Sequence, residues 1–295
     1  MWFAEQPLPA SIPELLAAAP GERLRVLWLG QAGFVIDGAG KRVVIDPYLS
    51  DSLAEKYRGT KFEHRRLMPA PVAPEAIAHV DLVMATHHHT DHLDPGTFPA
   101  LMAANENAHL VAPAAAMQVA LSRAGISSER LLTMDAGQTV SAAGIEITAT
   151  RAAHETLERD GNGQYRFLGL MIRVGDARIF HSGDTIPFPG QVEEVASLKA
   201  DLALLPVNGR DAERSGNGVP GNMSVDEAIA LARGANIPQV IAHHFDMFDF
   251  NTVPRVDVEE AARRAVSPMV MAACAHRIYL AYSSQQDASR KEADA

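Results

Sequence analysis

The sequence predicts one α/β domain built from mixed β-sheets that are covered by helices. Short apolar, β-branched runs alternate along the chain with segments of helical periodicity. Glycine-containing turns at 37–40 and 175–176 join neighbouring strands into two hairpins, which excludes an all-parallel sheet. Neither an internal repeat nor a linker divides the 295 residues, and a chain of this length can bury a large core.

The predicted strands are apolar runs bounded by glycine, proline or polar residues. They cover 23–30, 33–38, 41–49, 81–86, 109–113, 144–152, 167–175, 177–184, 201–209, 238–244 and 276–282. The run at 81–86 is short and apolar and ends in a cluster of polar residues. This pattern is typical of a buried strand that delivers a functional loop.

Helices are predicted where apolar residues recur every three or four positions after a capping residue. They cover 11–19, 114–125, 224–234 and 256–266, and another is expected to begin at Asp94-Pro95. Ser224 and Glu227 have the spacing of a capping box. We expect a long loop over 50–75.

The regions along the chain are predicted from changes in composition. A helical N-terminal extension over 1–22 precedes the main domain at 23–283, and a polar tail follows over 284–295.

Composition and charge exclude several classes of protein. A hydrophobic share of 47% with 21% charged residues is typical of a globular protein. The net charge of −10 argues against nucleic acid as a partner, because phosphate binding needs a basic face. The single cysteine, Cys274, excludes an internal disulfide and is expected to be a small buried hydrophobe. The sequence shows neither a signal peptide nor an apolar run long enough to span a membrane, so we expect a cytoplasmic protein.

Histidines concentrate at the ends of the predicted strands. Eight of the twelve lie there: His87, His88, His89, His92, His154, His181, His243 and His244. In the densest group, His87, His89, Asp91 and His92 follow the spacing H-x-H-x-D-H. His87 and His89 point the same way in an extended segment, so both can bind one metal ion. Asp91 and His92 follow in the turn and can face a second ion. These donors suit Zn²⁺, Mn²⁺ or Fe better than a soft metal.

Further donors lie where other strands pass into loops. The complete predicted set is His87, His89 and His154 for one metal, Asp91, His92 and His244 for the other, and Asp184 as the bridge. Two ions about 3.5–4 Å apart can ionise a bound water and hold both oxygens of a displacement. The sequence therefore predicts a hydrolase with two divalent ions, Mn²⁺ or Zn²⁺ rather than Fe.

This ligand set, together with Asp46 after the strand at 41–45, resembles the five motifs of the metallo-β-lactamase superfamily. The resemblance implies a four-layer αβ/βα sandwich of two mixed β-sheets flanked by helices, with a dinuclear site along one edge. Longer segments are similar to the lactonases that open L-ascorbate 6-phosphate: 27–36, 86–94, 181–185, 204–211, 221–228 and 242–248. The likeness runs from about residue 24 to 250, favours manganese and suggests a homo-oligomer.

The chain departs from those lactonases in two ways. It is shorter, and Ala242 stands where a proline is expected before the last motif. Two adjacent residues, His243 and His244, are therefore candidates for one ligand. Alignment through 246–248 favours His244, which leaves His243 on the other side of the strand.

Several residues have two interpretations. Asp46 either caps a turn or orients a ligand histidine, and we favour the second. Asp91 is either a ligand only or also the group that carries a proton from the attacking water to the leaving alkoxide, the role we favour. His181 is expected to be structural, and His88 is left without a role.

Substrate contacts are predicted on the loops around the metals. Asn208 and Arg210 can bind an anion, although Arg210 is equally well read as a solvated loop residue. Asn222 lies just before a helix N-terminus, where free N–H groups can face an anion. The pocket walls are expected from 47–75, 155–166 and 210–222, with a mobile lid at 209–221.

The favoured function is a metal-dependent lactonase or related ester hydrolase. Its expected substrate is a small, anionic sugar-acid lactone that could carry a phosphate, opened by a metal-bound hydroxide. The alternatives are a phosphodiesterase of the same fold, a mononuclear iron oxidoreductase of the persulfide dioxygenase type, and a metal-bound interaction protein without activity. We expect no nucleic-acid or membrane partner.

Overall fold

The computed structural model describes residues 1–282, and its strands form two mixed sheets. The first sheet contains β1 (Trp2–Pro7), β2 (Arg25–Gly30), β3 (Gly33–Gly38), β4 (Lys41–Ile45), β5 (Leu82–Met84), β6 (His109–Pro113), β7 (Leu131–Met134) and β15 (Arg277–Tyr282). Their order across the sheet is β1-β15-β2-β3-β4-β5-β6-β7. The strands are antiparallel from β1 to β4 and parallel from β4 to β7.

The second sheet repeats this mixture. It contains β8 (Thr139–Ala142), β9 (Ile145–Arg151), β10 (Leu168–Val174), β11 (Ala177–His181), β12 (Leu202–Pro206), β13 (Gln239–His243) and β14 (Met269–Ala272), in the order β14-β13-β12-β11-β10-β9-β8. Strands β11 to β14 are parallel, and β8 to β11 are antiparallel. Both predicted hairpins, β3–β4 and β10–β11, are present.

Helices cover the outer faces of both sheets. They are α1 (Ile12–Ala17), α3 (Phe98–Ala104) and α4 (Met117–Ala124) on the first sheet, and α5 (Gln191–Leu198), α7 (Val225–Gly234) and α8 (Arg255–Arg264) on the second. The short helices α2 (Ser52–Lys56) and α6 (Ala212–Gly216) lie in the connections after β4 and β12. Ser224 and Glu227 form the predicted capping box at the start of α7.

Three apolar layers explain why the strands are apolar at successive positions. On β2, Val26 and Trp28 face the core between the sheets, while Leu27 and Leu29 pack in the layer that contains α1, α3 and α4. The outer face of the second sheet packs in the same way in the layer of α5, α7 and α8. Because side chains alternate along a strand, a sheet buried on both sides needs apolar residues throughout. The predicted four-layer sandwich of two mixed sheets is confirmed.

The N-terminal extension, which the sequence predicts to be helical, is helical only in part. It contains α1 with its Ser11 cap, but also β1, which pairs along its whole length with β15. Gln239 on β13 joins β1 to the second sheet, since its side chain accepts from the backbone N–H of Phe3 at 2.6 Å and donates to the Phe3 carbonyl at 2.7 Å. The predicted tail at 284–295 lies outside the described residues.

The helix expected at Asp94-Pro95 begins later, at Phe98. The Asp94 carboxylate accepts hydrogen bonds from the hydroxyls of Ser50 and Thr97 and from the Gly96 N–H instead. These contacts hold a turn that precedes α3. Cys274 is also partly exposed rather than buried.

Several elements were not predicted from the sequence. Helix α2 lies within the predicted loop at 50–75, and β7, β8, β14 and α5 are further additions. No helix within residues 1–282 combines the length and the apolar character needed to cross a membrane.

Candidate metal centre

The predicted ligands meet at one edge of the sandwich, where strands from both sheets end. They follow β5, β9, β11 and β13, and they are His87, His89, Asp91, His92, His154, Asp184 and His244. The carboxyl ends of parallel strands share one edge of a sheet, so the loops that follow them converge there. The first sheet thus supplies the H-x-H-x-D-H segment and the second supplies the other three residues.

Three overlapping groups of these side chains could each hold a metal ion. They are His87, His89 and His154; His87, His92 and Asp184; and Asp91, His92 and His244. Within each group the ligand atoms lie within 4.8 Å of one another. These groups contain all seven residues that the sequence predicted for two sites and a bridging carboxylate.

Asp184 lies between the two outer groups. Its Oδ2 atom is 3.3 Å from His92 Nε2, 3.2 Å from His244 Nε2 and 3.9 Å from His154 Nε2. A carboxylate in this position can contact an ion on either side, since each of its oxygens offers lone pairs to a separate ion.

Unpaired buried atoms show that the cluster fits a cation. His87 Nε2 and Asp184 Oδ1 are buried and have no hydrogen-bond partner among the described residues. Burying such atoms without a partner is unfavourable by about 1–3 kcal/mol each, and a divalent ion would satisfy them. Imidazole and carboxylate donors are those that Zn²⁺ and Mn²⁺ accept.

Asp46 fixes the orientation of His92. Its Oδ2 atom lies 2.7 Å from His92 Nδ1, and the carboxylate also accepts from the Thr86 N–H at 2.8 Å and the Thr86 hydroxyl at 2.7 Å. With Nδ1–H donated to Asp46, the Nε2 atom of His92 is free to face the cluster. This geometry fits the predicted orienting role, and all three side chains are buried.

The charges of the cluster compensate one another. Burial would lower the pKa of His92, but the carboxylates of Asp184, Asp46 and Asp91 outweigh it and hold that pKa well above its ordinary value. Burial likewise would raise the pKa of Asp184, yet His244 and His92 hold it well below its usual range. The cluster without metal thus retains protons that an ion would displace.

Gln31 is a member of the site that the sequence analysis missed. Its side-chain Nε2 atom donates to Asp91 Oδ2 at 2.8 Å and lies 3.1 Å from His244 Nε2. Its backbone carbonyl accepts from the backbone N–H of His244 at 3.1 Å. Gln31 occupies the turn between β2 and β3 with a φ of 51°. The sequence did contain one signal that Gln31 belongs to the site. The residue lies in the segment 27–36, which carried part of the family resemblance.

His243 and His244 lie in different surroundings, because His243 ends β13 whereas His244 follows the strand with a φ of 66°. His244 joins the cluster, whereas His243 is fully buried beside Phe34 and His181 at ring-centroid distances of 5.2 and 5.1 Å. His181 is structural: its Nε2 donates to the Ala32 carbonyl at 2.9 Å, and its Nδ1 accepts from the Gly183 N–H at 3.0 Å.

A pocket of about 720 Å³ opens above the cluster. Its walls come from 53–64, 155–167 and 217–220, within or next to the three predicted loops. One wall is aromatic, because His64 stacks on Tyr57 at 4.3 Å and meets Phe248 edge-on at 5.0 Å. A pocket of this size accommodates a small organic molecule.

Positive side chains surround His88 at the pocket. Burial, together with the charges of His89, Arg123, Arg166 and Lys56, lowers the pKa of His88 to about 4. His88 is therefore neutral at physiological pH, and the fixed charges here are the three cations.

A family model described as a β-lactamase superfamily domain matches residues 41–245, well over half of the chain. The chain belongs to this superfamily. The matched segment includes all seven clustered side chains and Asp46. The resemblance to the superfamily is confirmed, whereas the resemblance to ascorbate-6-phosphate lactonases stays a prediction.

Sequence and structure comparisons identify proteins that are similar to this superfamily member. A UPF0173 metal-dependent hydrolase of Thermoplasma acidophilum is 29% identical over 230 residues, which cover 77% of this chain and 86% of the relative. An isothiocyanate hydrolase from Delia radicum gut bacteria has a TM-score of 0.69 at 20% identity, covering 88% of this chain and 100% of that one. Igni18, a metallo hydrolase of Ignicoccus hospitalis, has a TM-score of 0.63 at 19% identity, covering 88% and 99%. The structural matches show the shared fold.

Asn208, Arg210 and Asn222, the residues predicted to contact substrate, lie outside the lining of the pocket above the cluster. Arg210 donates to both Glu227 oxygens at 2.6 and 2.8 Å, so a carboxylate of the chain already neutralises it.

The two asparagines belong to a buried network beside the pocket. Asn222 Nδ2 donates to Asn208 Oδ1 at 3.0 Å, and Asn208 Nδ2 donates to Asn251 Oδ1 at 2.7 Å. Of these three, Asn251 is the one that lines the pocket. Asn208 and Asn222 thus support the wall indirectly.

Proposed function

We propose that the protein is a metal-dependent hydrolase that opens a lactone or cleaves a related ester of a small anionic molecule. The observation that carries this proposal is the set of buried histidines and carboxylates in overlapping metal-binding groups beneath an open pocket. A pair of bound Mn²⁺ or Zn²⁺ ions supplies an ionised water and stabilises negative charge on the substrate oxygen. The metal-dependent hydrolases among the relatives support the reaction class.

Asp91 is the residue that we assign to proton transfer. Its side chain is 17% exposed and lines the pocket, whereas that of Asp184 is 5% exposed. Burial would raise the pKa of Asp91, but the neighbouring His92 and His244 outweigh it and lower that pKa. The carboxylate is therefore ionised and can accept a proton from water and deliver it to the leaving alkoxide.

Gln31 positions this carboxylate. Its amide holds Asp91 Oδ2 at 2.8 Å, and its backbone carbonyl holds the N–H of His244. One residue thereby links the proton-transfer group to the last ligand of the cluster. Such support restricts the rotamers of both side chains and keeps them in the geometry that the reaction needs.

The test combines metal analysis with an assay. Elemental analysis of protein purified without added metal or chelator should give about two equivalents of Mn or Zn. The loaded protein is then screened on sugar lactones and on carboxylic and phosphate esters. Two bound ions without turnover of any lactone or carboxylic ester would contradict the proposal, and a single iron would favour an oxidoreductase.

The Asp91→Asn variant tests the assigned step. We expect kcat on the best substrate to fall by about 10²–10⁴-fold, the usual contribution of a general acid–base group. Asp176→Asn, an exposed carboxylate in the β10–β11 turn, is the matched control and should keep full activity. Full turnover by the Asp91 variant would show that another group carries the proton.

A further inference from the structure

The pocket above the metal cluster is lined by cations that the proposed chemistry does not use. They are Lys56, Lys61, Arg123 and Arg166. Lys61 is paired with Glu213 at 3.1 Å, whereas the other three form no ion pair within the described residues. Charges of one sign that gather in a pocket raise the local concentration of ligands of the opposite sign.

Arg166 is the least satisfied of these side chains. It is half-buried, and its guanidinium makes no hydrogen bond or ion pair with any described residue. Arginines at the ends of other elements are paired: Arg151 of β9 with Glu194 at 2.8 Å, and Arg255 of α8 with Asp246 at 2.9 Å. A guanidinium at a pocket wall that has no protein partner is available to bind an incoming anion.

The backbone around Arg166 is firmly held. Its N–H donates to the Glu158 carbonyl at 3.0 Å, and the next residue, Phe167, packs against the rings of His87 and His154 at 5.0 and 5.2 Å. The backbone of Arg166 is therefore held in a fixed position beside the metal-ligand candidates. A fixed origin reduces the entropy lost when the side chain binds a ligand.

Arg123 presents a second guanidinium to the same pocket. Its Nη1 atom donates to the carbonyls of His88 and Leu93 at 2.6 and 3.0 Å, which fixes the plane of the group. The remaining N–H groups, on Nε and Nη2, have no partner among the described residues. Since a guanidinium donates along two edges, one edge can hold the ligand loop while another binds an anion.

The negative charges that line this pocket beyond the cluster are weak competitors. Glu155 and Glu158 lie on the lining but are exposed to solvent, and neither forms an ion pair with Arg166, Arg123 or Lys56. Exposed carboxylates are screened by water and contribute little to a pair. Arg166 and Arg123, both half-buried residues of the lining, are therefore better placed than these carboxylates to set the charge preference of the pocket.

We propose that Arg166 and Arg123, with Lys56 at the rim, form an anion subsite that binds a carboxylate or phosphate group of the substrate away from the scissile bond. This rests on the proposed hydrolase function and deepens it, because it names the residues that select anionic esters or lactones over neutral ones. Planar guanidinium groups bind both carboxylate and phosphate through paired N–H donors. The subsite lies apart from Arg210, where the sequence had suggested anion binding.

Equilibrium binding tests the subsite without turnover. Calorimetry with the metal-loaded full-length protein measures the Kd of two probes, succinate and inorganic phosphate. We expect Arg166→Gln to raise the Kd of at least one probe by about tenfold or more, and Arg166→Lys to restore part of the loss. Weakening of succinate alone identifies a carboxylate site, and weakening of phosphate alone identifies a phosphate site.

The matched control is Arg173→Gln, because Arg173 is exposed on β10 away from the pocket. This variant should bind both probes as the unmodified protein does. An unchanged Kd in Arg166→Gln means that the anions bind the metals directly and overturns the subsite. Failure of the unmodified protein to bind either probe at millimolar concentration also overturns it.

Hydrolysis separates the subsite from the proposed function. The ratio of kcat/KM for 4-nitrophenyl hydrogen succinate to that for 4-nitrophenyl acetate compares an anionic and a neutral ester with the same leaving group. Arg166→Gln should lower this ratio by about tenfold, whereas the control Arg173→Gln should leave it unchanged. An unchanged ratio rejects the subsite alone. If Arg166→Gln weakens probe binding but the unmodified protein hydrolyses no ester or lactone, only the proposed function is rejected.

Discussion

At the scale of single residues, the Asp46 carboxylate determines which nitrogen of His92 faces the metal cluster. Replacement of Asp46 by asparagine keeps the shape of the side chain but leaves it only one oxygen. The amide then cannot accept hydrogen bonds from both His92 Nδ1 and the Thr86 N–H. We expect Asp46→Asn to weaken metal affinity by about 10–100-fold. Competition with a chromophoric chelator measures this affinity.

Asp81→Asn is the control for that prediction. Asp81 also accepts hydrogen bonds from charged and backbone donors, Lys41 Nζ at 3.0 Å and the Arg42 N–H at 2.9 Å, but it lies outside the metal cluster. Equal metal affinity in the Asp46 variant and the control would show that His92 needs no orienting carboxylate.

The adjacent histidines at the end of β13, His243 in the strand and His244 just after it, offer a comparison between a core residue and a ligand candidate. His244→Ala removes a donor that lies 3.2 Å from Asp184, so bound metal and turnover should fall steeply. His243→Leu replaces a buried imidazole by an apolar side chain of similar volume and should leave metal content unchanged. Elemental analysis of both variants measures the difference. The opposite pattern would assign the ligand to His243.

Residue types and spacing predicted the H-x-H-x-D-H segment well, because its members are neighbours in the chain and share local geometry. The anion contacts predicted at Asn208, Arg210 and Asn222 had no such local geometry to support them. Whether Arg210 is free depends on Glu227, seventeen positions away, and Arg166 has no motif around it. A partner brought in by folding leaves no local signal.

At the scale of elements, the turn after β11 places Asp184 through a glycine. Gly183 has a φ of +61°, and a Cβ atom there would lie 2.5 Å from the Leu168 carbonyl oxygen. Gly183→Ala should therefore lower both the free energy of unfolding and metal affinity. Urea unfolding and chelator competition measure the two effects.

Gly144→Ala isolates the contribution of the backbone conformation. Gly144 has a φ of +81°, but a Cβ atom there would meet no atom within 4 Å. We expect this control to be destabilised by about 1–2 kcal/mol with normal metal affinity, and Gly183→Ala by at least about twice as much. Equal losses would mean that the contact with Leu168 relaxes freely.

Elements with a complete local signal were predicted, and those completed by a distant partner were missed. Helix α7 has its cap, apolar face and terminal glycine within one segment. Strand β1 carries glutamate and proline and becomes a strand through β15, at least 270 positions away. Cross-strand pairing, which stabilises β1, depends on the neighbouring strand as well as on its own residues.

At the scale of the whole molecule, the cluster joins the two halves of the sandwich. Asp91 and His92 follow a strand of the first sheet, whereas His154, Asp184 and His244 follow strands of the second. Ions bound between them would cross-link the sheets in the folded state alone. We expect chelation to lower the melting temperature by several degrees, because a ligand at a thousand times its Kd stabilises by about 4 kcal/mol.

Calorimetric melting with metal, with chelator and after metal is restored measures this effect. The His89→Ala variant, which lacks one donor of the cluster, should show a smaller response to chelator than the unmodified protein. Identical melting temperatures in the three conditions would contradict a metal that links the sheets.

The sequence by itself determined that mixed β-sheets are covered by helices and that metal-ligand candidates gather at strand ends. These features depend on the period of apolar residues, on turn chemistry and on donors at strand ends, all of which are local. The resemblance of its motifs to the metallo-β-lactamase superfamily added the four-layer sandwich. The tertiary structure decided that Gln31 holds Asp91, that Glu227 neutralises Arg210, that the Arg166 side chain has no partner within residues 1–282, and that β1 completes the first sheet. Each of these depends on a contact between distant segments, and such contacts exist only after the strands have packed.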